Sequence, residues 1–263
     1  MRYFIVDAFT SLPFKGNPAA VVVLDGEISA RQMQAIAAEF NLAETAFLLA
    51  QTNNHWSLRW FTPKVEIDLC GHATLASSFT IWQQLKYPRE TQHFSTQSGV
   101  LTATPRDDKI ELNFPIVNYQ LFEMGPEVND RLKLNPVQAA QTEHDLLIEL
   151  PNSDAVKNYQ PDFNAITALP QRGLIITSKG DDNGTGVDFV SRFFAPKINI
   201  PEDPVTGAIH CTLAPYWSKQ LHKTAFWAQQ LSERGGDLFL RIQGERVLLT
   251  GSAVCTMQGE LLV

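Results

Sequence analysis

The sequence predicts an α+β fold made of two similar, pseudo-symmetric halves, each a mostly antiparallel sheet around a long helix. Three observations predict it. Residues Arg59-Trp-Phe-Thr-Pro-Lys-Val-Glu-Ile67 recur as Arg192-Phe-Phe-Ala-Pro-Lys-Ile-Asn-Ile200, identical at five of nine positions and offset by 133, about half of the 263-residue chain. A second echo pairs His72-Ala-Thr-Leu-Ala76 with His210-Cys-Thr-Leu-Ala214 at an offset of 138, which puts about five extra residues between the echoes in the second half. Strand-like and helix-like segments also follow one another in loosely the same order on either side of a junction at Pro115 to Asn135. The halves are read as residues 1–115 and 116–263, with the last strand a candidate to return to the first half.

The elements follow from local pattern. Arg2–Phe9 and Pro18–Leu24 alternate or run apolar as strands, joined by the turn-rich stretch Pro13–Pro18. Ser29-Ala-Arg-Gln32 is a capping box, and Met33, Ile36, Ala37 and Phe40 follow at helical spacing. Thr45–Ala50 and His55–Phe61 read as strands. A helix is expected after Cys70-Gly71-His72, with Leu75, Phe79 and Trp82 on one face. Three short strands within Thr91–Gln97, Val100–Pro105 and Lys109–Phe114 close the half. In the second half Asn135-Pro136 opens a helix, strands lie near Leu146–Leu150, Leu174–Ser178 and Val187–Phe194, a helix follows Asp203-Pro204, and further strands fill Thr224–Val263.

Composition bounds the function. Hydrophobic residues make up 44% and charged residues 19%, which excludes a disordered or low-complexity chain. The net charge of −7, without a basic run, argues against nucleic acid or an anionic membrane surface as partner. The longest apolar run, Ala19–Leu24, is too short to span a bilayer, and Asp7 interrupts the N-terminus before a secretory h-region can form. Cys70, Cys211 and Cys255 are odd in number and widely spaced, so a disulfide framework and a zinc ribbon are excluded. A reducing, cytoplasmic setting is expected.

Two helix openings look built for chemistry. Cys70-Gly71-His72 and Glu202-Asp203-Pro204-Val-Thr-Gly207 each follow a strand and start a helix, and free N–H groups at a helix N-terminus hold anions. If the halves are related by a pseudo-twofold axis, both openings face one interdomain cleft suited to a carboxylate. The plainer readings are a small buried thiol at Cys70 and an N-cap followed by proline at Asp203-Pro204. Glu44, in Asn41-Leu-Ala-Glu-Thr-Ala-Phe47, stands among apolar residues, a setting that disfavours the charged carboxylate and suits it to moving protons near neutrality. There is no Walker loop, no GxSxG elbow and no HExxH, and the six histidines lack metal-ligand spacing, so no metal site is expected and no motif rivals these candidates.

Together the strings Gly16-Asn-Pro-Ala-Ala-Val, Asn41-Leu-Ala-Glu-Thr-Ala-Phe, Arg59-Trp-Phe-Thr-Pro, Asp68-Leu-Cys-Gly-His-Ala-Thr-Leu-Ala and Glu202-Asp-Pro-Val-Thr-Gly, with Arg234-Gly-Gly, resemble the PhzF-like phenazine-biosynthesis family from end to end. The resemblance implies the fold of diaminopimelate epimerase, two halves each with a curved sheet wrapped around a central helix and the site between them. It implies a cofactor-independent isomerase acting on a small carboxylate-bearing metabolite, with Glu44 as the general acid/base, His72 and Asp203 assisting, and Asn17, Cys70, Gly71, Gly207 and Ala208 around the substrate. The expected partners are that substrate and a second copy of the chain in a homodimer. Two positions depart from the family pattern: Ala208 where Ser is usual after Pro-Val-Thr-Gly, and Ala43 where Ser commonly precedes the acid. A non-catalytic binding protein that keeps the fold is the alternative, and a two-thiol racemase is disfavoured, because the counterpart of Cys70 is read as Asp203 and Pro204.

Overall fold

The computed structural model describes residues 1–52, 54–181 and 184–263. They fall into two compact units: Met1–Asn113 with Leu248–Val263, and Phe114–Val247.

Unit 1 opens with β1 (Arg2–Ala8) antiparallel to β2 (Asn17–Leu24). Helix α1 (Ala30–Phe40) starts where the capping box predicts, with Ser29 Oγ accepting from the Gln32 N–H, and stops at Asn41 in a left-handed conformation. Its Met33, Ile36 and Ala37 stripe packs on Val22, Phe47 and Phe61. There follow β3 (Glu44–Thr52), β4 (His55–Phe61) and the short β5 (Glu66–Ile67). Helix α2 (Gly71–Phe79) runs on into a π-helical turn over Thr80–Gln84. Leu75 and Trp82 are buried as expected, but so is every residue from His72 to Ser78, because the helix is enclosed by the sheet rather than laid on it. The hydroxyls of Thr74, Ser77, Ser78 and Thr80 each donate to the carbonyl four residues back, which lets polar side chains sit inside. Strands β6 (Gln92–Thr96), β7 (Gly99–Arg106) and β8 (Lys109–Pro115) close this stretch.

Unit 2 holds β9 (Gln120–Phe122), α3 (Pro126–Leu132), β10 (Gln138–Gln141), β11 (Asp145–Glu149), α4 (Ser153–Asn158), α5 (Phe163–Thr167), β12 (Gly173–Lys179), β13 (Phe189–Ala195), β14 (Ile200–Asp203), α6 (Gly207–Leu221), β15 (Ala225–Gln230) and β16 (Gly236–Gln243). Strand β17 (Arg246–Gly251) runs across the boundary, and β18 (Ala253–Glu260) pairs antiparallel with β1. Helix α6 is buried on most sides and contains Pro215. Proline has no N–H for the carbonyl of Cys211, and that carbonyl instead accepts from the Val117 N–H at 3.1 Å.

The strand pairings repeat. In unit 1, β2 is parallel to β3, β3 antiparallel to β4, β4 parallel to β6 and β6 antiparallel to β7. In unit 2 the same series runs through β11, β12, β13, β15 and β16. The nine-residue echo covers equivalent hairpins, β4–β5 and β13–β14, each closed by an arginine fork. Arg59 donates to both carboxylate oxygens of Glu66 at 2.7 and 2.8 Å, and Arg192 to those of Glu202 at 2.7 and 3.0 Å. Each guanidinium also lies over the phenylalanine two residues on, Phe61 or Phe194.

Three expectations need correction. Asn135-Pro136 opens no helix: Gln138–Gln141 is β10, fixed by ladders to β9 and β11 that override its alanine content, and the proline-led helix is α3, ten residues earlier. Asp203 is no N-cap but the end of β14; the cap is Thr206. The second echo is out of register, because α2 and α6 begin at Gly71 and Gly207, an offset of 136. His72 is thus the second helical residue and His210 the fourth.

Candidate active site

In unit 1 four of the expected residues come together. Asn17 and Glu44 are the first residues of β2 and β3, whose parallel pairing of Ala19 with Glu44 brings those strand starts to one end of the sheet. Cys70 is the N-cap of α2, and His72 is carried in its first turn. His72 Nε2 lies 3.1 Å from Glu44 Oε2, and Nδ1 lies 3.5 Å from Cys70 Sγ and 3.4 Å from Asn17 Nδ2. All four side chains are buried. The Glu44–His72 contact is an ion pair by distance but lacks hydrogen-bond alignment, so both atoms keep directional capacity.

Burial alone would pull the His72 imidazolium down. The charges of Cys70 and Glu44 outweigh it, and the ring stays protonated well above its ordinary range. Burial pushes the Cys70 thiol up, with His72 pulling the other way. The result is a buried imidazole whose charged form is favoured by the sulfur on one side and the carboxylate on the other. Gly71, half-buried, is the first residue of α2, where N–H groups lack intrahelical partners.

Glu44, Cys70 and His72 also offer donor atoms within 4.8 Å of one another, of types that zinc accepts. The fit is poor. The thiol meets the ring at Nδ1 and the carboxylate meets it at Nε2, so an ion on either nitrogen leaves one partner outside a tetrahedral set unless the ring turns.

Asp203, Gly207 and Ala208 belong to unit 2. Asp203 is buried at the end of β14, and the Thr206 hydroxyl donates to its Oδ2. Gln230, the buried last residue of β15, donates from Nε2 to the Asp203 carbonyl at 2.7 Å and to Thr206 Oγ1 at 3.2 Å, and accepts from the Thr206 N–H at 2.9 Å. Gly207 is buried, whereas Ala208 is exposed in the first turn of α6. Sequence reading missed Gln230, and no local signal marks it; the parallel pairing of Ser191 with Gln230 brings it there. His210 shares a bond between Nδ1 and the Thr206 carbonyl at 2.7 Å, and burial lowers its pKa to about 4. Cys211 is also buried, and burial pushes its thiol up to about 12 against the pull of Arg246, which unfits it as a second base.

Comparison with known proteins extends this. A family model described as phenazine biosynthesis-like protein matches residues 6–259. An uncharacterised isomerase of Pseudomonas aeruginosa is 43% identical over 261 residues, covering 99% of this chain and 98% of that one. A human phenazine biosynthesis-like domain-containing protein is 38% identical over 282 residues, covering 98% of each. The crystal structure of a PhzF-family protein from Enterococcus faecalis superposes with a TM-score of 0.94 at 42% identity, covering 100% of this chain and 99% of that one. A hydroxyproline epimerase from Agrobacterium vitis, at 11% identity and a TM-score of 0.63, shares the fold alone, with 98% and 91% of the two chains covered. With the Glu44–His72 pair, the Asp203 turn and a match over nearly its whole length, the chain belongs to the phenazine biosynthesis-like family.

Proposed function

We propose that the protein is a cofactor-independent isomerase that moves a proton on a small carboxylate-bearing metabolite, with Glu44 as the general acid/base. The observation that carries the reading is the buried ion pair of Glu44 with a protonated His72. The relatives named as isomerases support the reaction class.

The imidazole lies 3.1 Å from Glu44 Oε2, which places the carboxylate to act as the base. The carboxylate takes a proton from a carbon made acidic by an adjacent carbonyl or double bond, the electron pair moves along the unsaturated system, and Glu44, its acid proton open to exchange with solvent before redelivery, protonates another carbon. Atoms and charge balance without a co-reactant. The N–H groups at the start of α2 suit the negative charge that develops on the substrate, and the burial of the cluster limits the water that could quench it. Asp203, held by Thr206, is a second polar centre that we assign to substrate orientation.

The test is a screen of small unsaturated carboxylates in D2O, read by NMR for deuterium at a carbon position. The protein is expected to catalyse exchange, and Glu44→Gln, nearly isosteric, to lose about 100- to 10,000-fold of it while binding is retained. Equal exchange in both proteins would overturn the role of Glu44. Binding without exchange by either would favour a binding protein that keeps the fold, the reading that the missing hydroxyl at Ala208 supports.

A further inference from the structure

Asp203 does not stand on its own. Its turn is held from behind by a strand residue with no other evident task. The Gln230 amide is fully buried, and its oxygen and nitrogen are told apart by their partners: Oε1 faces an N–H, so Nε2 must supply the donors. The Nε2 hydrogens go to the Asp203 carbonyl and to Thr206 Oγ1. Because the Thr206 hydroxyl receives a hydrogen from Gln230, its own hydrogen is left for Asp203 Oδ2. Ser232 adds a second brace, donating to the Pro204 carbonyl at 2.7 Å while accepting from the Gly235 N–H at 3.0 Å.

We propose that Gln230 and Thr206 are positioning residues for Asp203: the buried amide sets the direction of the Thr206 hydroxyl, which therefore donates to the Asp203 carboxylate and holds it ionised and aimed. This rests on the assignment of Asp203 to the site. Glu202 is engaged by Arg192, His210 is turned to the Thr206 carbonyl, and Glu233 and Arg234 lie in the loop that Ser232 ties to Pro204.

The test is the titration of the Asp203 carboxyl carbon by NMR in protein labelled with 13C-aspartate, with Asp203→Asn assigning the signal. Thr206→Ser keeps the hydroxyl and should leave the midpoint in place. Thr206→Val removes the donor, and its midpoint should rise by about one pH unit. Gln230→Glu replaces the donor with an acceptor, so the Thr206 hydroxyl turns toward it, a negative charge is added nearby, and the midpoint should rise further. If Gln230→Glu fails to fold, the Thr206 pair decides alone, since Thr206 makes no side-chain cap bond in α6. An unmoved midpoint in folded Thr206→Val overturns the proposal. The titration needs no substrate, so a failed exchange screen leaves this test standing. With an active carboxylate in hand, Thr206→Val should lower kcat and displace the pH profile, and Thr206→Ser should restore both.

Discussion

The two arginine forks are the same device in different surroundings, so their loss should cost different amounts. The Arg192 side chain is 10% exposed. Besides the fork to Glu202, its Nη1 donates to the carbonyls of Val156, Lys157 and Tyr159, at 3.3, 3.2 and 2.7 Å, tying the end of α4 to β13. Arg192→Met keeps the apolar stem but strands a carboxylate and three carbonyls, a loss of about 3–5 kcal/mol for a buried pair broken on one side. The Arg59 side chain is 30% exposed, and Glu66 keeps another partner, since Gln97 Nε2 donates to its Oε1 at 2.7 Å. Arg59→Met should therefore cost about 1 kcal/mol. At about 2–4 °C per kcal/mol, the two variants should differ by several degrees in thermal midpoint. Arg192→Lys should not rescue, because a single ammonium cannot serve the fork and the three carbonyls together. Amide hydrogen exchange localises the effect: protection should fall in β13 and β14 for Arg192→Met and barely change in β4 and β5 for Arg59→Met. Equal losses would refute the argument from burial. Glu202 precedes Asp203, so the Arg192 variant should also lose exchange activity beyond its loss of folded protein.

His72 is raised in the folded state, so its pair stabilises fully below the unfolded pKa near 6.5 and that stability is lost as pH rises through the higher folded value. Unfolding midpoints between pH 6 and 10 should fall for the native protein and stay flatter for His72→Asn. His210 runs the other way: a pKa lowered to about 4 by burial gives stability that is present above pH 6.5 and disappears as pH falls toward 4, about 3 kcal/mol in all. Urea midpoints at pH 7 and pH 4.5 should differ less in His210→Asn than in the native protein. Ala208→Ser adds a hydroxyl to an exposed first-turn position, so it should raise affinity for a polar, phenazine-precursor-like acid by about tenfold in a titration, with no change in thermal midpoint. Equal affinities would remove position 208 from the binding surface.

Most strands and the two central helices were legible because they rest on local pattern, though the second helix starts later than read, and the Glu44, Cys70 and His72 candidates because short strings carry them. The rest depended on long-range pairing. Gln138–Gln141 reads as helix and becomes strand because β9 and β11 claim both its edges. The hairpin of unit 2 is three residues longer, pairing Phe193 with Asp203 where unit 1 pairs Trp60 with Ile67, so the helix starts are offset by 136 and the shared letters His-x-Thr-Leu-Ala, offset by 138, fall at different helical positions. Gln230 was invisible because a glutamine at a strand end has no pattern until the facing turn is known.

That corrected register explains why the duplicated architecture carries one Glu–His–Cys cluster rather than two. Phe61 pairs with Thr45 in unit 1, and its equivalent Phe194 pairs with Leu174 in unit 2, so the residue equivalent to Glu44 is Gly173. No side chain fits there, since a Cβ on Gly173 would stand 2.6 Å from the Phe193 ring. At the helix starts, Cys70 matches Thr206 as N-cap and His72 matches Ala208 as the second helical residue. The counterpart of Cys70 is therefore Thr206, not Asp203 or Pro204 as the sequence reading had it. A racemase that inverts a centre between two thiols needs a second thiolate, and this position offers a hydroxyl already committed to Asp203. One acid with its histidine in unit 1 and a braced aspartate in unit 2 are what the proposed reaction asks for, in which a single group removes and returns the proton. Supplying Glu at position 173 would not create a second base, because it would first have to displace the Phe193 ring on β13, the strand that also carries Arg192.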